Sequence, residues 1–175
     1  TALDNVDFDV LGGEVHVLLG ENGAGKSTLI KIIAGTEQKD NGDFIFEQKA
    51  VEKHTPFLMR EMGISVIHQE LSLVRLMDVK SNLFLGRDLK KKNWLLSKFG
   101  IRDDAGMVNH CKQVFSELGI NLDPNKSVME LTLSQMQLIE IAKAVAFDSK
   151  VILMDEPTSS LGPEEKDQLF SVIER

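Results

Sequence analysis

The spacing of apolar positions changes several times along the chain, and each change marks a predicted element. Val6, Phe8 and Val10 alternate with Asp7 and Asp9, the period-two pattern of a half-buried strand within Leu3–Leu11. Gly12-Gly13 reads as a turn. Glu14 to Leu19 is then a β-branched and apolar run that predicts a buried strand ending at Gly20. Leu29, Ile30, Ile32, Ile33 and Ala34 recur at helical spacing, and Gly35 stops that helix. Turn formers crowd residues 39–43, and Phe44-Ile45-Phe46 follows as a short strand in an antiparallel edge sheet. Gly63 to Ile67 predicts a buried strand running into the polar trio His68-Gln69-Glu70. From residue 71 to about 145 the pattern is mainly helical, including an amphipathic stretch from Val108 to Leu118 that Gly119 ends. Val151-Ile152-Leu153-Met154 is a further buried strand, and Pro163 with Glu164 and Glu165 opens a last helix. The chain therefore predicts an α/β fold with a helical insertion.

Composition narrows this picture. The 175 residues suffice for one domain with a core, and 42% hydrophobic with 27% charged residues is a globular balance. A net charge of −7 argues against a general nucleic-acid or anionic-membrane surface. No run of 18 apolar residues occurs, so no stretch of this sequence reads as a membrane-spanning helix. The single Cys111 leaves no intrachain disulfide within this sequence, suits a reducing compartment, and sits among Val108, Val114, Phe115 and Leu118 as a helix packing residue.

The chemistry centres on Gly20-Glu21-Asn22-Gly23-Ala24-Gly25-Lys26-Ser27-Thr28, which fits Gly-x-x-x-x-Gly-Lys-[Ser/Thr], the phosphate-binding loop of nucleoside triphosphatases. Small residues let consecutive backbone N–H groups curl around phosphate oxygens. Lys26 supplies a mobile positive charge, and the Ser27 hydroxyl can take a Mg²⁺ coordination position. A helix opening at Gly25 or Lys26 aims its positive end at the same anion. The order of strand, loop and helix is the one the motif requires, so the sequence predicts binding of a nucleoside triphosphate.

A second signal is the strand Val151–Met154 delivering Asp155 and Glu156 at its C-terminal end, where ligands sit in α/β sheets. Neighbouring strand residues face opposite sides, so one carboxylate can serve Mg²⁺ and the other the attacking water. Gln69 ends another strand, and its amide oxygen can reach Mg²⁺ or that water. Thr132 or Ser134 reads as the N-cap of the helix carrying Met136, Ile139, Ala142, Lys143 and Ala146, with a second anion site as the alternative. Other features read more simply. His54 is expected in a solvated loop, and Lys90-Lys91-Lys92 with Trp94 and Lys98 as a solvated basic insertion. The apolar residues from Leu71 to Leu85 are either core or a partner surface.

Taken together, these segments resemble the nucleotide-binding domain of ATP-binding-cassette transporters over almost the whole chain. The runs at 20–28, Gln69–Leu73, Ile139–Ala144 and Asp155–Leu161 resemble bacterial simple-sugar importers of galactose, ribose and xylose type, whose N-terminal cassette keeps an intact loop lysine. The resemblance implies a RecA-like P-loop core from residues 1–70 and 146–175, with an antiparallel β edge and a helical subdomain at 71–145. It implies that Gln69 is the Q-loop glutamine, that Asp155 serves Mg²⁺ and that Glu156 polarises the attacking water. It makes Leu131–Gln135 the signature loop, so that Thr132, Ser134 and Gln135 would bind the γ-phosphate of ATP held by an opposing cassette. Ser159–Gly162 would cross that dimer interface. The signature Leu-Ser-Gly-Gly-Gln appears as Leu131-Thr132-Leu133-Ser134-Gln135 without its glycines, and Gly162 stands where many cassettes carry Asp. An adenine-stacking aromatic is expected before Thr1 and a switch histidine beyond Arg175, so the sequence reads as part of one cassette, truncated at both ends.

The function implied is that of an ATPase, with ATP and Mg²⁺ bound, that drives uptake of a simple sugar from the cytoplasmic face of the membrane. Its partners would be a second nucleotide-binding domain, transmembrane permease subunits docked on the Leu71–Leu85 patch and, indirectly, a sugar-binding protein, with no nucleic acid. Two alternatives stand beside it, a soluble cassette ATPase not tied to transport and a non-catalytic ATP-binding module.

Overall fold

The computed structural model describes residues 2–68, 71–90, 101–147, 149–155 and 162–174. The chain forms two compact units, the first comprising Thr1–Val66 with Lys150–Asp155 and the second Ile67–Ser149 with Glu156–Arg175.

In the first unit, helix α1 spans Lys26–Ile33 and is followed by Gly35 in the left-handed region, so the expected stop is observed. Strands β1 (Ile45–Phe46) and β2 (Lys49–Ala50) pair antiparallel, with Ile45 opposite Ala50 and Phe46 opposite Lys49. Glu47 and Gln48 both take positive φ at the hairpin tip, the turn geometry that matches strand twist. Helix α2 (Pro56–Glu61) starts with proline at its first turn, and the Thr55 hydroxyl accepts the Leu58 amide at 3.2 Å. Strands β3 (Ile64–Ile67) and β4 (Val151–Met154) are hydrogen-bonded neighbours. Val51, Met59 and Ile64 form the core, with Ile33, Phe44, Phe46, Leu58, Met62, Val151 and Leu153 packed around them. Burying a side chain such as Met59 stabilises the fold by about 2 kcal/mol.

Two expectations fail in this unit. Neither Leu3–Leu11 nor Glu14–Leu19 forms a strand, although the Gly12-Gly13 turn between them is present, with the Glu14 amide donating to the Leu11 carbonyl at 3.2 Å. Val15, Val17 and Leu19 are 65%, 65% and 89% exposed. Among the described residues no neighbouring segment offers the ladder partners and apolar cover that a strand needs. The second failure is His54, which is buried rather than solvated, with only 1% of its surface exposed. The Phe44 ring meets it edge-on at 4.7 Å, the His54 carbonyl accepts from Gln38 Nε2, and among the described residues neither ring nitrogen has a hydrogen-bond partner. These neighbours lie 10 and 16 positions away along the chain, beyond the reach of a local pattern.

The second unit is helical. It contains α3 (Val79–Leu83), α4 (Asp104–Leu118), a 3₁₀ turn at Val128–Glu130, α5 (Leu133–Val145) and α6 (Pro163–Ile173). Helix α3 packs on α4 and α5, α4 packs on α5, and α6 packs on both α4 and α5. Asp78 caps α3 through the Ser81 amide, Asp103 caps α4 through the Gly106 amide, and Gly119 closes α4 in the left-handed region. Helix α5 is buried on nearly every side, from Met136 through Ala142, which makes it the central element of the unit. Cys111 is fully buried, and burial pushes its thiol up to about 12, as expected of a packing cysteine. The Leu71–Leu85 stretch divides. Val79, Leu83 and Phe84 are core, whereas Val74, Leu76, Met77 and Leu85 are exposed.

Candidate nucleotide-binding site

The loop from Gly20 to Gly25 reaches α1 with almost no side chains in the way. Gly23 and Gly25 hold φ of 85° and 90°, values that side-chain-bearing residues rarely adopt. A Cβ at Gly25 would sit 2.7 Å from the Ala2 carbonyl oxygen and from Leu3 Cδ2. Glycine is therefore required there by backbone angle and by space. Gly25 is also the N-cap of α1, supplies no side-chain cap, and no acidic residue occupies the first turn. The first amides of α1 are left without side-chain acceptors at the positive end of the helix, a ready anion site.

Lys26 shows how the loop is closed on itself. Its Nζ donates to the carbonyls of Gly20 at 2.7 Å and Glu21 at 2.9 Å, spanning the loop from end to start. The Ala24 amide donates to Glu21 O at 3.2 Å, giving the loop its inner turn. An incoming phosphate oxygen offers the ammonium a charged acceptor in place of neutral carbonyls, and charge-assisted bonds are the stronger. Glu21, Asn22, Gly23, Ala24 and Ser27 are exposed, while Gly25, Lys26 and Thr28 are half-buried. Asp155 directly follows β4 in the same unit and is half-buried. A serine hydroxyl and one carboxylate are hard oxygen donors that suit Mg²⁺, which keeps several waters and takes its remaining ligands from phosphates.

Thr132, Ser134 and Gln135 lie in the second unit, at the start of α5. The Thr132 hydroxyl accepts the Gln135 amide at 3.2 Å, and Gln135 Oε1 accepts the Thr132 amide at 3.1 Å, a complete capping box. The N-cap expected at Thr132 or Ser134 is thus Thr132. Gln69, Glu156, Lys91, Lys92, Trp94, Lys98 and residues 159–161 lie outside the described residues.

Sequence reasoning missed a set of polar anchors around the connection from β3 to α3. The Asn82 side chain, 1% exposed, accepts the Val74 amide at 2.7 Å and donates to the carbonyls of Val74 and Asp78. Glu140, 5% exposed, accepts both the amide and the hydroxyl of Ser72. The available signal was Glu140 with Lys143, the two charges on an otherwise uncharged helix.

The loop, the helix it opens and the mixed α/β setting define a P-loop nucleotide-binding protein. The chain matches the family described as ABC transporter over residues 3–159, and it belongs to that family. Among its curated relatives is the galactose/methyl galactoside import ATP-binding protein MglA of Pasteurella multocida, 46% identical over 98% of this chain and 33% of the relative. The ribose import ATP-binding protein RbsA 1 of Rubrobacter xylanophilus is 43% identical over 99% of this chain and 34% of the relative. The chain thus spans about a third of the length of these relatives. A nucleotide-free ATP-binding cassette from an ABC transporter superposes with a TM-score of 0.81 at 31% identity, covering 99% of this chain and 70% of that one. A dimeric post-hydrolysis cassette bound to ADP and Pi shares the fold, with a TM-score of 0.79 at 20% identity.

Proposed function

We propose that this chain is the ATP-binding part of a simple-sugar importer, and that its parent couples ATP hydrolysis to uptake through separate membrane subunits. The observation that carries the reading is the Gly20–Thr28 loop. It is glycine-kinked at two positions, opens α1 without a side-chain cap, and has Lys26 already turned across it. The curated relatives are named as import ATP-binding proteins for ribose and galactose, and that substrate class is carried to this chain by similarity.

In this reading the loop amides and Lys26 hold the β- and γ-phosphates of ATP. Ser27, Asp155 and Gln69 hold Mg²⁺, which when bound neutralises phosphate charge. Glu156 orients and polarises the attacking water. Phosphoryl transfer needs little more than positioning and electrostatic stabilisation, which these groups supply. Thr132, Ser134 and Gln135 complete the site of a second cassette, so two cassettes meet for turnover. The surface for the permease is the exposed set Val74, Leu76, Met77 and Leu85, presented by a connection that Asn82 pins. The import role carried from the relatives places the protein peripherally, on the cytoplasmic face; among the described residues no helix is long and apolar enough to cross a membrane.

The test is Mg²⁺-ATP binding and turnover by the full-length protein beside its Lys26→Ala and Glu156→Gln versions. Loss of binding in Lys26→Ala, with binding but no turnover in Glu156→Gln, is the expected result. ATP binding that survives Lys26→Ala unchanged overturns the site. Transport that survives Leu76→Asp overturns the docking surface.

A further inference from the structure

The stretch from Ser72 to Met77 has neither helix nor strand, yet it is fastened at almost every step. At its start, buried Glu140 of α5 accepts the Ser72 amide and the Ser72 hydroxyl, each at 2.8 Å. Lys143 Nζ closes this contact, donating to Ser72 Oγ at 3.0 Å and to Glu140 Oε2 at 2.9 Å. Two residues on, buried Asn82 holds both main-chain groups of Val74, accepting its amide at 2.7 Å and donating to its carbonyl at 3.0 Å. The Met77 amide donates to the same Val74 carbonyl at 3.0 Å, and the Met77 carbonyl accepts the Val128 amide at 3.1 Å. Val74–Met77 is therefore a closed turn with both shoulders bonded, and Arg75 and Leu76 are its two central residues.

What this turn displays runs against ordinary turn chemistry. Turn tips favour Gly, Asn, Asp, Ser or Pro, which relax the backbone, preset it or hydrogen-bond to it locally. Here the tip is Arg-Leu. Leu76 is 85% exposed, with Val74 and Met77 beside it at 37% and 39%. Three apolar side chains in four residues gain nothing from facing water, and the turn closes through main-chain bonds that do not need them. The charges of the segment are unequal as well. Asp78 and Lys80 pair with each other, whereas Arg75 is exposed and has no ion-pair or hydrogen-bond partner among the described residues. A well-ordered element that breaks local rules at an exposed tip is the kind of place where function resides.

We propose that residues 74–77 are a prefolded docking knob, clamped by Asn82, whose partner brings an apolar socket for Leu76 and a carboxylate for Arg75. The partner's identity rests on the proposed function: it is a cytoplasmic segment of the importer's membrane subunits. Charge complementarity selects a carboxylate-bearing protein surface over an anionic bilayer, because one arginine on a chain of net charge −7 is too little to hold a lipid surface. The clamp supplies the other half of the argument. A turn already held in its docking shape loses less conformational entropy on binding. Arg75 and Leu76 touch the partner, and Asn82 is a positioning residue that acts through them.

The test measures binding of the full-length protein to nanodiscs carrying the permease of the same importer, beside empty nanodiscs rich in anionic lipid. Leu76→Ser is expected to weaken permease binding about 30-fold. Arg75→Gln is expected to weaken it about five-fold at low salt and to flatten its salt dependence. Asn82→Ala leaves both tip residues in place and is expected to weaken binding about ten-fold while speeding amide exchange at Val74 and Met77. Asn82→Asp keeps the acceptor for the Val74 amide, shows smaller changes in both readouts, and decides the clamp where Asn82→Ala does not fold. Faster exchange with unchanged affinity overturns the positioning role, since a merely structural clamp would move exchange alone. Wild-type affinity in both Leu76→Ser and Arg75→Gln overturns the knob and leaves the importer reading standing. Equal binding to empty nanodiscs overturns it in favour of a lipid surface, and no binding of the wild type to the permease overturns it together with the docking surface. Leu76-dependent docking by a wild type that hydrolyses no ATP supports the knob and overturns the catalytic reading alone.

Discussion

Two helices of this protein begin in opposite ways. Helix α1 opens at a glycine in the left-handed region with no side-chain cap, so its first amides are offered to whatever anion arrives. Helix α5 opens at Thr132 in a complete capping box, the Thr132 and Gln135 amides answered by each other's side chains. The units around them differ likewise. The second unit fills the lone pairs of Glu140, Asn82 and Asp78 from within, whereas the first unit buries His54 with both ring nitrogens unpartnered among the described residues. The open amides are those at the start of α1, where a ligand can reach them, whereas His54 is an unsatisfied group shut inside the first unit. In the proposed reading, the contrast separates the helix start that would take phosphate directly from the one that would meet it across a second cassette.

The strongest way to break the contrast is Gly25→Val. The backbone angle costs about 1–3 kcal/mol for a non-glycine residue, and the Cβ falls 2.7 Å from the Ala2 carbonyl oxygen. The loop has to move, and ATP affinity, read by titration with a fluorescent analogue, is expected to fall more than about 100-fold. Wild-type affinity in this variant would mean that the open end of α1 is not where phosphate binds. Lys26→Met is the next effect. Removing a charge-assisted donor is expected to weaken binding about 30- to 100-fold. Its two carbonyl acceptors are solvent-accessible and recover hydrogen bonds from water, so thermal stability should move little.

His54 sharpens the contrast through pH. Burial, and secondly the charge of Lys39, lower its pKa below the ordinary 6.5, so the folded state prefers the neutral ring. The unfolded chain then binds the proton more readily. Stability is complete above about pH 6.5 and is lost as pH falls from there towards the depressed folded value, by up to about 1.4 kcal/mol per pH unit. Asp78 does not confuse the window. Burial works against its charge, but hydrogen bonds from Lys80 and Ser81 outweigh it and hold its pKa below 3.8, so its contribution is lost only at lower pH. Denaturant midpoints between pH 5 and 8 should show the decline in the wild type and a flatter profile in His54→Leu. Equal slopes would remove His54 from the account.

The parts of this molecule that were legible in the sequence are those set by neighbours in the chain. The phosphate loop, the stop at Gly35, the Thr132 cap and the Gly119 close are local chemistry, readable from spacing alone. Glu14–Leu19 has the composition of a strand, yet a strand is a property of a pair, and composition names no partner. His54 looked solvated because its polar neighbours in sequence are not its neighbours in space, where Phe44 covers it. The Ser72–Glu140–Lys143 contacts close across 68 residues and leave only a faint sign, two charges on an otherwise uncharged helix. Pattern reading therefore finds sites built on one loop and misses those assembled from two segments.

The smallest expected effect tests the closed side of the comparison. Thr132→Ala removes the hydroxyl that accepts the Gln135 amide and leaves that donor without its side-chain partner. Loss of such a cap costs about 1 kcal/mol, a fall in Tm of about 2–4 °C for a chain of this size. Thr132→Ser keeps the oxygen and should recover most of it. Gln135→Ala acts on the reciprocal bond, and because the two halves share one box the double variant should lose less than the sum of the singles. Additive losses would mean two independent contacts rather than a box. If Thr132→Ala leaves Tm unchanged, the first amides of α5 are not held by this hydroxyl in solution. They would then be as open as those of α1, and Thr132 would be free to turn to an anion brought by a second cassette.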